Sequence, residues 1–303
     1  MTELELRHLR REKWRIEGEP IRTLEESREF VDSVGMCLLY PDPAYPAILL
    51  PTFIAASMGT EDGLPTRKAS LSDSRVKYAE DLVVRLVRDK SAFEAQLPGG
   101  MLLLSPEVFP YFYALASDRQ PKQPIRSRER GKASPLTEHV FRKLEERGAM
   151  SERQLREELG GALSQVGLDR ALAELRSALK IVQTERDGKA GEVWDLYYRW
   201  APEAINQGVR ISDAEALSAL ISKYLDAVVA ATQEEIENFF SSFSSRARVT
   251  EVVRALLAAR EFTYTPSETR TLITVAHTRE TSVSERPRQD HGARKPEPGR
   301  RNG

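Results

Sequence analysis

The chain has 303 residues, of which 40% are hydrophobic, and its formal net charge is −1. This length predicts two or three domains with ordinary apolar cores. The balanced charge excludes a global field that would draw the protein to nucleic acid or to anionic lipid.

The composition argues against a metal site and against a membrane-spanning segment. The single cysteine, Cys37, excludes a disulfide framework within the chain and a cysteine-rich zinc site, and the four histidines lack metal-ligand spacing. We therefore expect no metal and no cofactor. The N-terminus has no apolar run, and no stretch approaches the ~20 apolar residues of a membrane span. The expected setting is therefore a soluble, reducing cytoplasm.

The chain opens with a charged segment, residues 1–19, which is predicted to be flexible. The first clear helix follows it. Thr23 and Glu26 form a capping box at the start of this helix, and Gly35 is placed to end it.

The rest of the N-terminal region is predicted to contain a second long helix and a hairpin. The helix begins at residue 72 or 73, and the hairpin covers residues 93–105. Helix followed by hairpin indicates a divergent winged helix within an N-terminal α/β unit at 20–118. A further helix around 109–115 is crowded with aromatic residues. We interpret it as a core helix rather than a base-stacking platform, because such platforms usually lie on exposed strands.

Residues 119–133 are predicted to be a basic linker without apolar periodicity. Its positive charges include Arg126, Arg128 and Arg130. Such a strip can lie along a phosphate backbone, or it can simply be solvated. The sequence favours neither interpretation over the other.

Residues 134–200 have the pattern of a winged helix. Ser151 and Gln154 form a capping box that starts a short helix, and a second helix carries leucines at helical spacing from Leu168 onward. The period then changes to two, which predicts a two-stranded ribbon.

The same unit recurs at 212–276. Leu144 corresponds to Leu225, an offset of 81 (225 minus 144), and the capping box recurs as Thr232 with Glu235 at the same offset. The predicted fold class is therefore α+β, mainly α, built from tandem winged-helix domains. The last residues, 277–303, lack periodic apolar positions and are predicted to be a disordered tail.

The segments 30–35 and 109–115, followed by two winged units with Tyr224-Leu225 and a capped helix at Thr232, resemble the AlkZ-like DNA glycosylase family. The resemblance spans roughly residues 20–276. It implies tandem winged helices that form a concave DNA-binding surface, with double-stranded DNA as the partner and an ancestry in DNA repair.

One motif of that family is missing here. Catalytic members carry a Gln-apolar-Gln or Gln-apolar-Asp triplet just after a glycine of the N-terminal unit, where it positions water. At this place the chain reads Gly35-Met36-Cys37-Leu38-Leu39-Tyr40-Pro41-Asp42, and neither triplet occurs anywhere in the sequence. Asp42 is the one acid close to the expected site. A carboxylate can act as a base, but the flanking prolines are equally consistent with a turn.

In a helix-turn-helix unit the second helix meets the major groove, while the wing and the first helix hold phosphates. This geometry nominates DNA-contacting side chains on the central unit, the last unit and the linker. They are Gln165, Arg170, Arg176, Arg186, Lys189, Arg246, Arg248, Arg254, Arg126, Arg128 and Arg130.

Three functions are compatible with the sequence. We prefer a DNA-binding protein related to these glycosylases but without their usual chemistry. The second is an active glycosylase of alkylated or crosslinked DNA that uses Asp42 or another acid. The third is a protein-interaction scaffold, which the glutamates on the helices before the recognition helices favour. The oligomeric state is not predicted.

Overall fold

The structure is a computed structural model, which describes residues 1–41, 48–64, 73–97, 100–125, 134–160, 164–187 and 191–276, with the side chains of 186 and 187 excepted. The fold is α+β and mainly α, as predicted.

The N-terminal part consists of helices with a small antiparallel sheet. Its elements are α1 (Glu3–Lys13), α2 (Leu24–Val34), β1 (Met36–Leu38), α3 (Phe53–Met58), α4 (Ser74–Arg88), β2 (Phe93–Leu97), β3 (Gly100–Leu104) and α5 (Phe109–Ala116). The predicted capping box starts α2, because the Thr23 side chain accepts from the backbone N–H of Glu26 at 3.1 Å. The sheet order is β1-β3-β2.

The central part repeats the succession from α2 to β3, which is a helix, a short strand, two helices and a hairpin. It contains α6 (Pro135–Arg147), β4 (Met150–Ser151), α7 (Glu152–Glu158), α8 (Gln165–Ser177), β5 (Ile181–Asp187) and β6 (Gly191–Leu196). The sheet order, β4-β6-β5, is equivalent to that of the first sheet.

Two short helices lead from the central part to the last one. The elements are α9 (Tyr197–Trp200), α10 (Pro202–Arg210), α11 (Asp213–Val228), α12 (Gln233–Phe240), α13 (Arg246–Ala258), β7 (Phe262–Pro266) and β8 (Thr271–Val275). In this part the first strand is reduced to one bridge between Ala231 and Ile273.

The central and C-terminal parts have the spacing that the sequence predicts. The helices α8 and α13 begin and end 81 positions apart, at Gln165–Ser177 and Arg246–Ala258. Each is capped at the same relative position, by Ser164 and by Ser245. Three successions of helix, short strand or bridge, helix, helix and hairpin therefore follow one another along the chain.

The aromatic helix α5 is part of the core, in agreement with the prediction. Phe109 is fully buried and stacks on Phe93 at 4.2 Å and on Tyr197 at 5.2 Å between ring centroids. The neighbouring helix α10 can approach α5 closely at Gly208, where an added Cβ would lie 2.8 Å from the carbonyl oxygen of Pro110. Helix α5 thus joins elements of the N-terminal, central and C-terminal parts.

The first residues differ from the prediction of a flexible segment at 1–19. They form helix α1, and the side chains of Leu6 and Trp14 are buried. The indole N–H of Trp14 donates to the carbonyl oxygen of Ala227 at 2.8 Å. Helix α1 is thus docked on the C-terminal end of α11, a contact that local sequence patterns do not indicate.

Within the described part of the chain, no helix is long and apolar enough to cross a membrane.

Candidate nucleic-acid interface

Of the two equivalent helices α8 and α13, α13 is the more cationic. It carries three arginines (Arg246, Arg248 and Arg254) against one glutamate, Glu251. All three arginines are exposed. Ser245 caps the helix by accepting from the backbone N–H of Arg248 at 3.4 Å, so the first turn with its two arginines is held at the helix start.

The surroundings of α13 neutralise these arginines only in part. The Arg246 guanidinium donates to the neutral Asn238 side chain at 2.8 Å. The nearby Glu237 carboxylate accepts hydrogen bonds from Gln233 and Thr250, which lower its pKa, with smaller contributions from Arg246 and Arg254. Glu237 is therefore a lasting negative charge beside the helix.

The equivalent helix of the central part, α8, is balanced by its own side chains. Gln165 donates to Asp169 at 2.6 Å, and Arg170 donates to Glu174 at 3.0 Å. Burial, together with Glu192 and Asp169, raises the pKa of Glu152 at the start of the preceding helix. The carboxylates of Glu152, Asp169 and Glu192 therefore lie close together near the start of α8.

Arg176, predicted to contact DNA, lies between the central and N-terminal parts. Its side chain is only 15% exposed, forms an ion pair with Glu94 on β2 at 3.4 Å, and lies 5.2 Å from the ring centroid of Trp194. A guanidinium that is enclosed in this way is not presented to solvent. In this geometry Arg176 joins two parts of the protein, and the sequence pattern that predicts a DNA contact for it does not indicate this ion pair.

Several predicted site residues lie outside the described residues or lack a described side chain. Arg186 is on β5, but its side chain is not described. The others outside the described residues are Asp42, Arg126, Arg128, Arg130 and Lys189.

The structure brings together two arginines that are far apart in sequence. Arg119, which follows α5, forms an ion pair with Asp213 in the first turn of α11. Arg248 of α13 approaches the other oxygen of the same carboxylate at 3.7 Å. In the sequence, Arg119 stands at the start of the predicted basic linker, and no local signal indicates its contact with residue 213.

The segment after Gly35, where the resemblance predicts the glutamine triplet of catalytic members, is buried and apolar. Met36, Cys37, Leu38, Leu39 and Tyr40 are all buried. Cys37 is fully buried, and burial raises the pKa of its thiol, which disfavours the reactive thiolate. None of these side chains presents a carboxamide or carboxylate to water, and Tyr40 instead donates its hydroxyl to Glu80.

A cavity of about 450 Å³ lies where hairpin β2–β3, α5, the end of α8 and the loop before α13 meet. Phe112 and Phe243 line it with their rings in edge-to-face contact at 5.1 Å. Gln96 lies in its wall and donates to the carbonyl oxygens of Leu97 and Gly100, at 2.9 and 3.3 Å. Among the residues that the structure describes, no group of three or more His, Cys, Asp or Glu could hold a metal ion.

Comparison with known proteins identifies one family. The family described as DNA glycosylase AlkZ-like matches residues 69–295, most of the chain. A search of curated proteins finds no match. The matched range begins downstream of Gly35 and Tyr40. It therefore does not include the segment after Gly35 that lacks the glutamine triplet.

Proposed function

Because the chain belongs to the AlkZ-like DNA glycosylase family, we propose that it binds duplex DNA through its C-terminal part and lacks the base-excision chemistry of catalytic relatives. The observation that carries this proposal is the exposed cationic start of α13, with Arg246 and Arg248, in a chain whose β1 segment is buried and apolar. In this proposal the partner is double-stranded DNA at the nucleoid of a bacterial-type cytoplasm.

The proposal includes the architecture of tandem winged helices. The repeated succession of elements and the equivalent sheet orders β1-β3-β2 and β4-β6-β5 support it. The units would then be 20–118, 134–200 and 212–276, with 119–133 as the connection. The third helix of each unit, which includes α8 and α13, would be the recognition helix.

The division of charge between α13 and α8 gives a direct test. We expect Arg246→Ala combined with Arg254→Ala to weaken duplex binding about 10-fold or more and to lower the slope of log K against log salt by about two, since each lost phosphate contact removes roughly 0.9. The measurement is fluorescence anisotropy of a labelled duplex titrated at several salt concentrations.

The matched control removes two arginines of the central part, Arg153 and Arg170, whose side chains are both 72% exposed. We expect this pair to change affinity by less than the α13 pair, because Glu157 and Glu174 already neutralise it. Equal losses in both pairs would contradict the proposed interface. A dissociation constant no tighter than ~10⁻⁴ M in low salt would remove DNA binding altogether.

The absence of base-excision chemistry has its own expected outcome. Purified protein incubated with alkylated duplex should release no base, measured as abasic sites cut by alkali. The physical reason is that no described side chain of β1 or of the two residues after it can position water. Release that disappears in Asp42→Asn would instead establish the alternative of an active glycosylase.

The central part supports a second role. Its recognition-type helix is balanced, its neighbouring Glu152 lies near Glu192 and Asp169, and Val166 at the helix start is 78% exposed. The negative charges oppose a phosphate backbone, and the exposed apolar side chain of Val166 is available for a protein contact. We propose that the central part serves protein contacts while the C-terminal part serves DNA.

A further inference from the structure

We infer that Arg119 and Arg248 together form the binding site for one phosphodiester of DNA, and that the Asp213 carboxylate occupies this site when DNA is absent. The inference rests on the proposed DNA binding. It goes further by identifying a specific anion site and the group that competes for it.

The geometry of Arg119 is constrained from two sides. Its Nε donates to the carbonyl oxygen of Ala114 at 2.9 Å, which holds the guanidinium against the end of α5. Its backbone has a left-handed φ of 56°, which turns the chain sharply after the helix. The remaining Nη2 donor is directed at Oδ1 of Asp213.

Arg248 reaches the same carboxylate from a different element. Its Nη1 lies 3.7 Å from Oδ2 of Asp213, so each carboxylate oxygen faces a different arginine. Two non-bridging oxygens of a phosphodiester present the same pattern of negative atoms, and guanidinium groups favour them. Two arginines against one carboxylate leave a net positive charge at the site.

Asp213 can be displaced because the whole cluster is partly open to solvent. The side chains of Arg119, Asp213 and Arg248 are 29%, 50% and 45% exposed. Ion pairs at this level of exposure contribute little to stability, so exchanging a carboxylate for a phosphate costs little. The site adjoins Arg246 and the Ser245 cap at the first turn of α13. One DNA backbone can therefore contact the arginine pair and this turn together.

The test is a gain of affinity. Asp213→Asn removes the competing charge, and we expect duplex binding about fivefold tighter at low salt. We also expect a steeper salt dependence, by up to about one unit of slope, because the displaced carboxylate of the wild type attracts a cation and so offsets one of the cations that DNA releases. Anisotropy titrations at several salt concentrations measure both quantities.

Two comparisons separate a specific site from general charge removal. Glu215→Gln removes an exposed negative charge from the same first turn of α11, and we expect it to have a smaller effect. In the background of Arg119→Ala with Arg248→Ala, Asp213→Asn should have no larger effect than Glu215→Gln, since only the general loss of one negative charge remains. Urea denaturation of each variant verifies that the fold is retained.

The outcomes distinguish the two levels of inference. If the wild-type protein binds duplex DNA but Asp213→Asn is no tighter than Glu215→Gln, or keeps its effect without the two arginines, the anion site is wrong and DNA binding stands. If neither the wild-type protein nor Asp213→Asn binds duplex DNA, the proposed function fails and the site fails with it.

Discussion

Lys180→Met is expected to lower the free energy of unfolding by about 3 kcal/mol or more, because it removes the cation from a nearly buried carboxylate. Lys180 is 1% exposed, and its ammonium donates to Asp118 at 2.8 Å and to the carbonyl oxygen of Gln120 at 2.7 Å. Asp118 is itself only 19% exposed, so water can replace the lost partner only in part. Urea denaturation followed by far-UV circular dichroism measures the change.

The controls for Lys180 use the same substitution and the same partner. Lys77→Met, at an exposed position of α4, should stay within about 0.5 kcal/mol of the wild type. Adding Asp118→Asn to Lys180→Met should restore a large part of the lost stability, since the amide oxygen can still accept from the backbone N–H of Gln120. Equal effects of Lys180→Met and Lys77→Met would show that the buried ion pair has no special importance.

This ion pair also matters for the proposed DNA contact. Asp118 immediately precedes Arg119, so Lys180 holds the chain at the point from which Arg119 reaches Asp213. The start of the predicted linker is therefore held at two neighbouring residues. Lys180 of the central part holds Asp118, and Asp213 of α11 holds Arg119.

Trp14→Ala is expected to lower the free energy of unfolding by about 3–5 kcal/mol, the range for large aromatic side chains removed from a core. The Trp14 ring is 9% exposed, and its N–H satisfies the carbonyl oxygen of Ala227 at the end of α11. Arg10 donates to two further carbonyl oxygens, that of Val228 at the helix end at 2.9 Å and that of Ala230 just after it at 2.6 Å. Carbonyl groups at a helix end have no partner within the helix, so α1 supplies the donors that α11 needs.

Two variants separate packing from hydrogen bonding in this contact. Trp14→Phe keeps most of the ring but loses the donor, and we expect a cost of about 1–3 kcal/mol for the unsatisfied carbonyl. Leu4→Ala, at a 75% exposed position of the same helix, should cost no more than about 0.5 kcal/mol. If Trp14→Ala unfolds at the same urea concentration as Leu4→Ala, α1 does not stabilise the C-terminal part.

Local patterns in the sequence predicted the repeated elements well. The capping boxes at Thr23, Ser151 and Thr232 are all present, and the offset of 81 between the central and C-terminal parts recurs in the bounds of α8 and α13. These features depend on contacts between residues three or four positions apart, so the residues that make them can be identified without the rest of the chain.

The placement of individual charges was predicted less well. Arg176 has the position of a DNA-contacting residue on its helix, but the N-terminal hairpin covers that face and supplies Glu94. Helical periodicity shows which side chains share a face, and it does not show which other element packs against that face.

The sequence by itself determined the class of fold, the repeated succession of elements, the loss of the glutamine triplet and the likeness to AlkZ-like glycosylases, which the family match confirms. Each of these depends on residue identity or on short-range order. The tertiary structure alone decided that α1 completes the end of α11, that Arg176 is enclosed, and that Arg119 meets Asp213 across 94 positions of sequence. Such contacts arise only when α5 and the three parts around it pack together. Apolar burial is non-directional, so the residues of one segment do not specify which distant charges its packing brings into contact.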